Sequence, residues 1–252
     1  MSDTTPVTLL RSALASDGTR PFTTFYDDAT GERVELSVVT FDNWVSKTAN
    51  YLQDELSVEP GDRVALLLPA HWQTQVWLLA CWSVGAVAVP DGDPARADVV
   101  VAGPDALERG LACPGERVGL SLRPLGARFA APPEGYRDYA VEVPGFGDRF
   151  VPYVPPSADD PALEIDGRTL TGAEAADAGA ESAAAWGLAP GDRLLSTLPF
   201  TRASGLRAGL LAPLAASVPV VLCRNFELID ESARERRIST ERVTRTITDS
   251  EG

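Results

Sequence analysis

The sequence has one lysine (Lys47), one histidine (His71), one methionine and three cysteines. With a single lysine and arginine as the remaining cation source, no lysine other than Lys47 is available to neutralise a phosphate. A single histidine excludes a His–His metal pair within one chain. Cys81, Cys113 and Cys223 are far apart and form no C-x-x-C pair, so they are expected as reduced thiols, Cys81 as a small core residue within an apolar run. No apolar run reaches the roughly 18 residues of a membrane-spanning helix. The N-terminus (Met1, Ser2, Asp3, Thr4) lacks the basic-then-apolar pattern of a secretion signal, so a cytoplasmic location is expected.

What is present is ordinary for a folded globular chain: 252 residues, 44% hydrophobic and 23% charged. The formal net charge of −14 repels phosphodiester backbones and anionic lipid surfaces. Nucleic-acid and membrane partners are therefore not expected. Abundant Ala, Gly and Pro together with arginine-dominated positive charge point to a GC-rich bacterial coding sequence.

An internal repeat organises the chain. Pro60-Gly61-Asp62-Arg63 opens the run Val64 to Pro69, and Pro190-Gly191-Asp192-Arg193 opens Leu194 to Pro199, with six of ten aligned positions identical. Pro-Gly-Asp supplies a turn, and a short apolar run bounded by proline predicts a buried parallel strand. Before the first block, Phe41, Trp44, Val45, Thr48, Ala49, Leu52 and Leu56 have helical spacing with Thr40 as expected N-cap. Before the second, an alanine-rich helix is expected from Ala175 to Trp186. After the first strand a nearly all-apolar helix, Gln75 to Val84, ends at Gly85 and leads to a strand at residues 86–90. After the second, a helix over residues 206–216 and a strand over 218–222 repeat that order.

The predicted fold is α/β: two repeated βαβ units forming parallel sheet flanked by helices. A first α/β unit is expected over residues 1–103 and a second over 161–230. Residues 104–160 form an irregular Pro/Gly-rich connection, and 231–252 a charged helix with a frayed tail from Thr244. Within 98–160, strands are expected at 98–103, 117–122, 139–143 and 150–154, and a short helix near 105–111.

The pattern over residues 41–90 (helix, Pro-Gly-Asp-Arg, apolar strand, Leu-Pro, apolar helix, Gly-Ala-Val-Ala-Val-Pro) resembles the start of the adenylate-forming superfamily, which includes acyl-CoA synthetases, luciferases and peptide-synthetase adenylation domains. Residues 191–222 resemble the part of that large domain following its phosphate-binding loop, with Leu198-Pro199-Phe200 and Ser204-Gly205-Leu206 where such enzymes carry Leu-Pro-aromatic and Gly-Leu. The length matches a group of short bacterial proteins related to that superfamily.

The resemblance implies ATP chemistry, for which a site must hold polyphosphate and neutralise developing charge. The family uses a Ser/Thr/Gly-rich loop ending in Pro-Lys-Gly. The corresponding stretch, Asp159 to Gly172, has no glycine-rich cradle and no lysine, and it contains four carboxylates. Those charges would oppose a triphosphate by a few kcal/mol. Pro199-Phe200-Thr201-Arg202 places arginine where a histidine is common. Counterparts of the family's Tyr-Gly-x-Thr-Glu segment, ribose-binding aspartate and C-terminal catalytic lysine are absent from this sequence. The expectation is a truncated, degenerate acyl-CoA-synthetase-like protein with no catalytic residues, no metal and no cofactor, unable to form acyl-adenylates alone. It would bind a protein partner, a second copy of itself, or a small acyl or nucleotide-like ligand. The alternatives are an enzyme completed by a second polypeptide, for which ATP, AMP or CoA would be ligands, and a structural or interaction subunit.

Candidate ligand-binding residues are Thr197, Thr201, Arg202, Ser204 and Gly205, which follow the carboxyl end of a predicted parallel strand, with Arg202 as a carboxylate partner. Other features read as structural. Asp62, Arg63, Asp192 and Arg193 repeat at equivalent turns. His71 is expected at a helix entry rather than as a base. The tryptophans Trp44, Trp72, Trp77, Trp82 and Trp186 are expected mainly in the core. Gly145-Phe146-Gly147 is half of a dinucleotide fingerprint and carries no function. Arg234, Arg236 and Arg237 among Glu231, Glu235 and Glu241 are expected as a solvated helix face.

Overall fold

The computed structural model describes residues 3–248. In chain order the elements are α1 (Pro6–Asp17), β1 (Pro21–Asp27), β2 (Glu32–Ser37), α2 (Val38–Asn50), β3 (Arg63–Leu67), α3 (Trp72–Val84), β4 (Val87–Pro90), β5 (Val99–Ala102), α4 (Leu107–Gly110), β6 (Glu116–Gly119), β7 (Arg137–Asp138) and α5 (Tyr139–Glu142). They continue with β8 (Pro161–Ile165), β9 (Arg168–Thr171), α6 (Gly172–Ala185), β10 (Leu194–Ser196), α7 (Ala203–Leu206), α8 (Ala212–Ala216), β11 (Val220–Arg224), α9 (Glu231–Thr240) and β12 (Arg245–Ile247). A π-helical turn, Tyr51–Glu55, extends α2, and another, Arg207–Leu211, joins α7 to α8.

The strands form two sheets, ordered β12-β10-β11-β1-β2 and β7-β6-β5-β3-β4-β8-β9. The repeated blocks supply the centre of each: β3 pairs parallel with β4 and β5, and β10 pairs parallel with β11 and β12. Each central trio is extended by an antiparallel hairpin from the other half of the chain. The β1–β2 hairpin joins β11, and the β8–β9 hairpin joins β4. The two halves therefore have equivalent strand orders and exchange their hairpins.

The turns ahead of β3 and β10 are built alike. Gly61 and Gly191 have φ of +92° and +94°, and Asp62 and Asp192 accept hydrogen bonds from the Glu59 and Ala189 N–H groups, each at 2.8 Å. A left-handed glycine next to an acceptor aspartate is why Pro-Gly-Asp recurs. The apolar character of α3 on every side follows from its position: all its residues are buried, and it touches β1 of one sheet and β3 and β4 of the other. Gly85 closes it in the left-handed conformation.

The structure corrects several expectations. The N-cap of α2 is Ser37, whose Oγ accepts from Thr40 N at 3.3 Å; Thr40 lies inside the helix, because β2 runs directly into it. Residues 139–143 are not a strand: Asp138 caps a helical turn by accepting from Ala140 N at 3.1 Å, ending β7 after two residues. Residues 150–154 join no ladder, because side chains of Gln53 satisfy that backbone at Val151 O and Tyr153 N. The segment from Thr244 is not frayed over 245–247, which form β12. Thr244 Oγ1 accepts from Arg193 N at 3.0 Å and donates to Asp192 at 2.7 Å, setting its register on β10. Residues 249–252 of that expected tail, and Met1 and Ser2, lie outside the described residues.

The charged helix α9 is also not simply a solvated face. Arg237, 12% exposed, forms two 2.6 Å hydrogen bonds to Asp28, and its guanidinium lies 4.0 Å from the Tyr26 ring centroid. Just beyond the helix, the Glu241 side chain is 5% exposed and accepts from Tyr26, Arg33 and Arg193 at 2.6, 3.0 and 2.5 Å. These groups fasten α9 to β1, β2 and the turn before β10. Among the described residues no helix is long and apolar enough to cross a membrane.

Candidate ligand site

The five predicted ligand residues fall within one turn and the start of the helix after β10. Thr197 and Ser204 are half-buried, Thr201 and Arg202 are exposed, and Gly205 is buried. A Cβ at position 205 would collide with the Pro199 carbonyl, so glycine lets the helix fold back on the turn. Arg202 has no ion pair among the described residues. A groove of about 340 Å³ beside the turn is lined by Ala203, Leu206 and Arg207 with Leu163, Ile165 and Leu170 of the hairpin. Its walls are neighbours of the predicted residues rather than the residues themselves.

The acidic stretch before this region is a tight hairpin. Asp166 and Gly167 have φ of +50° and +71°, the conformation of a two-residue turn between antiparallel strands. Three of its four carboxylates are engaged by the protein. Asp160 accepts from Ser157 N at 2.7 Å, Glu164 pairs with Arg63, and Asp166 accepts from Ala203 N at 3.0 Å. Arg63 holds the Glu164 carboxyl below its ordinary pKa. A chain carboxylate therefore sits at the first N–H of the helix after β10, a position whose dipole favours an anion. The role of Asp166 is absent from the sequence reading; the Asp-Gly pair between two apolar-alternating runs is the signal that carries the hairpin.

The sole lysine is committed elsewhere. Lys47 Nζ donates to Phe146 O at 2.6 Å and Pro144 O at 3.3 Å, and lies 2.8 Å from Asp148. His71 is 1% exposed and caps α3, its Nδ1 accepting from Gln73 N at 3.1 Å. Burial, with the nearby Arg224 charge acting in the same direction, pushes its pKa down to about 3, so the ring is neutral. Burial raises the Cys81 thiol above its ordinary pKa and pushes Cys223 up to about 12, and all three cysteines are free. Trp72, Trp77 and Trp82 are buried and Trp44 packs on the core, whereas Trp186 is half-buried at the C-terminus of α6. Among the described residues no group of three or more His, Cys, Asp and Glu side chains is arranged to hold a metal ion.

Comparison with known proteins accords with this architecture. The AMP-binding enzyme family model matches residues 11–98. A TIGR03089 family protein of Mycobacterium tuberculosis (strain ATCC 25618 / H37Rv) is 42% identical over 97% of this chain and 100% of its own length. Among solved structures, an acyl-CoA synthetase of Brucella canis superposes with a TM-score of 0.78 at 19% identity, over 97% of this chain and 47% of that one. The N-terminal domain of FACL13 from Mycobacterium tuberculosis superposes with a TM-score of 0.73 at 20% identity, over 96% of this chain and 62% of that one. The chain thus spans about half the length of the Brucella canis synthetase. By its full-length match at 42% identity the chain belongs to the TIGR03089 family, with the fold of the N-terminal portion of acyl-CoA synthetases.

Proposed function

We propose that this protein keeps the N-terminal scaffold of acyl-CoA synthetases without their adenylate-forming chemistry, and acts in the cytoplasm as a binding module. Its ligand is a small acyl or nucleotide-like molecule at the turn after β10, or a protein partner on the same face. The supporting observation is the β8–β9 hairpin, which stands where the resemblance expects a phosphate loop. Its turn places Asp166 on Ala203 N, and it offers carboxylates and no lysine. A triphosphate there would meet like charge and a helix terminus already holding an anion.

ATP–pyrophosphate exchange over a panel of carboxylic acids tests this reading. No exchange above background is expected from the purified chain, and robust exchange contradicts it. A second reading is an enzyme completed by another polypeptide. It is favoured by the asymmetry of the sheets: β5 is followed by β6 and β7, whereas β12, its counterpart, has no outer neighbour among the described residues. Exchange that appears only when a partner is added would support that reading.

A further inference from the structure

Exposed apolar side chains concentrate in one short stretch. Val151, Tyr153 and Val154, at 76%, 78% and 58% exposure, are three of the seven large hydrophobic residues exposed among the described residues, and they fall within four positions. Single exposed apolar residues are ordinary, whereas a cluster marks a contact with another molecule. The stretch runs Arg149-Phe150-Val151-Pro152-Tyr153-Val154-Pro155-Pro156 and belongs to no helix or strand. Phe150 packs on the core, and Pro152 and Pro156 are half-buried across a groove from α1.

Side chains of α2 and its π-helical extension hold the backbone along one edge. Asn50 donates to Gly147 O and Arg149 O at 3.0 and 2.9 Å. Gln53 donates to Val151 O at 3.4 Å and accepts from Tyr153 N at 2.9 Å, and Asp54 accepts from Tyr153 Oη at 2.8 Å. Beyond these pins the main chain is unclaimed: among the described residues the carbonyls of Pro152, Tyr153, Val154 and Pro155 accept no hydrogen bond.

This composition suits one mode of recognition and disfavours another. Pro152 and Pro155 would fall on opposite edges of a strand and neither has an N–H, so an added β-strand would lose a donor whichever edge paired. The segment offers acceptors instead. A polyproline II ligand is bound through its carbonyls, by side-chain donors such as an indole N–H, and through aromatic rings packed on its prolines. That helix repeats every three residues. Val151-Pro152 and Val154-Pro155 are two apolar-proline pairs at this spacing, and Arg149 precedes Pro152 by one turn, about 9 Å. Arg149 is exposed and has no ion pair among the described residues, while the adjacent Asp148 is paired with Lys47.

We propose that residues 149–156 dock a partner domain whose groove is lined by aromatic rings and ends in an acidic pocket, the rings taking the two Val-Pro pairs and the pocket taking Arg149. In the free chain the segment bends at Tyr153 and Val154, where Gln53 and Asp54 hold it. Docking as a straight polyproline II helix turns Pro152 away from α1 and releases those bonds, so the pins lower the affinity without abolishing it. The groove beneath the segment shares no lining residue with the groove beside the turn after β10, and the proposal does not depend on the reading of that turn.

Titration of the full chain into an isotope-labelled SH3 domain with an acidic specificity pocket, the probe for such a groove, tests the assignment by NMR. Saturable one-to-one binding is expected, with shifts confined to the probe's aromatic groove and acidic pocket. The double variant Pro152→Ala/Pro155→Ala should weaken it by about tenfold and Arg149→Glu by a similar factor. Tyr153→Phe, which keeps the ring and frees it from Asp54, should tighten it by about threefold. Circular dichroism establishes that each variant is folded. Absence of saturable binding by the full chain, or unchanged affinity in the double proline variant, overturns the proposal. Binding by a peptide of residues 147–158 but not by the full chain also overturns it, because the segment is then closed in the folded protein. So does self-association of the chain that Tyr153→Ser abolishes in the absence of probe binding, which assigns the patch to a second copy.

Discussion

The turns after β3 and β10 are the same element of the internal repeat, and each must satisfy the first N–H groups of the helix it begins. After β3 the acceptor is local and neutral: His71 Nδ1, enclosed by Phe25 and Trp72, binds Gln73 N. After β10 it is charged and comes from another element: Asp166 of the β8–β9 turn binds Ala203 N. One half closes its strand end within the core. The other leaves Thr201 and Arg202 exposed and fills the helix terminus with the protein's own carboxylate. Equivalent topology therefore yields a structural turn in one half and a candidate ligand surface in the other.

The opposite ends of the same strands differ in the reverse sense. Arg63 reaches the exchanged hairpin through one partly exposed pair with Glu164. Arg193 enters a cluster in which the nearly buried Glu241 also accepts from Arg33 and Tyr26. Burial disfavours the Glu241 carboxylate, but these three donors outweigh it and hold its pKa below the ordinary value.

The largest expected effect comes from breaking the second seam. Glu241→Ala leaves two guanidiniums and a phenol without their shared acceptor and should cost roughly 3 kcal/mol. For a chain of this size that lowers Tm by about 6–12 °C. Denaturant unfolding measures it, and a loss below about 1 kcal/mol would mean that the cluster does not hold α9 in place.

The neutral cap gives the next effect. His71 binds its proton near pH 6.5 when unfolded and only near pH 3 when folded, so the unfolded state holds more protons between those values. Stability on this account is lost progressively as pH falls from about 6.5 towards 3. His71→Asn keeps a side-chain acceptor for Gln73 N without the titrating ring. The variant should gain about 2 kcal/mol relative to the parent on moving from pH 7 to pH 5. Parallel pH dependences in urea melts would contradict the burial of a neutral imidazole. Glu164→Ala should have the smallest effect, below about 1 kcal/mol by the same melts, since its pair with Arg63 is partly hydrated. A loss as large as that of Glu241→Ala would erase the contrast between the seams.

Much of the central architecture was legible locally. The repeated Pro-Gly-Asp-Arg blocks, the apolar run of α3 and Gly85 mark turns, strands and helix ends whose causes lie within a few residues. The exchange of hairpins was not, because the pairing of β1 with β11 and β8 with β4 joins segments that carry no local trace of each other. Arg237 and Glu241 read as solvated because charge spacing on a helix does not reveal the Asp28, Tyr26 and Arg193 groups waiting on the sheet. At the candidate site, the loop after β10 was visible as a strand-to-helix turn. The Asp166 cap was not, since it depends on a hairpin folding across that turn.

The β8–β9 hairpin is where the chain would meet a nucleotide's phosphates. Calorimetric titration with magnesium ATP should give no saturable heat at millimolar nucleotide, in the parent chain and in Arg202→Gln alike. Saturable binding by the parent that Arg202→Gln weakens would show that the turn after β10 accepts a triphosphate despite Asp166, and would contradict the exclusion of triphosphate by the β8–β9 hairpin.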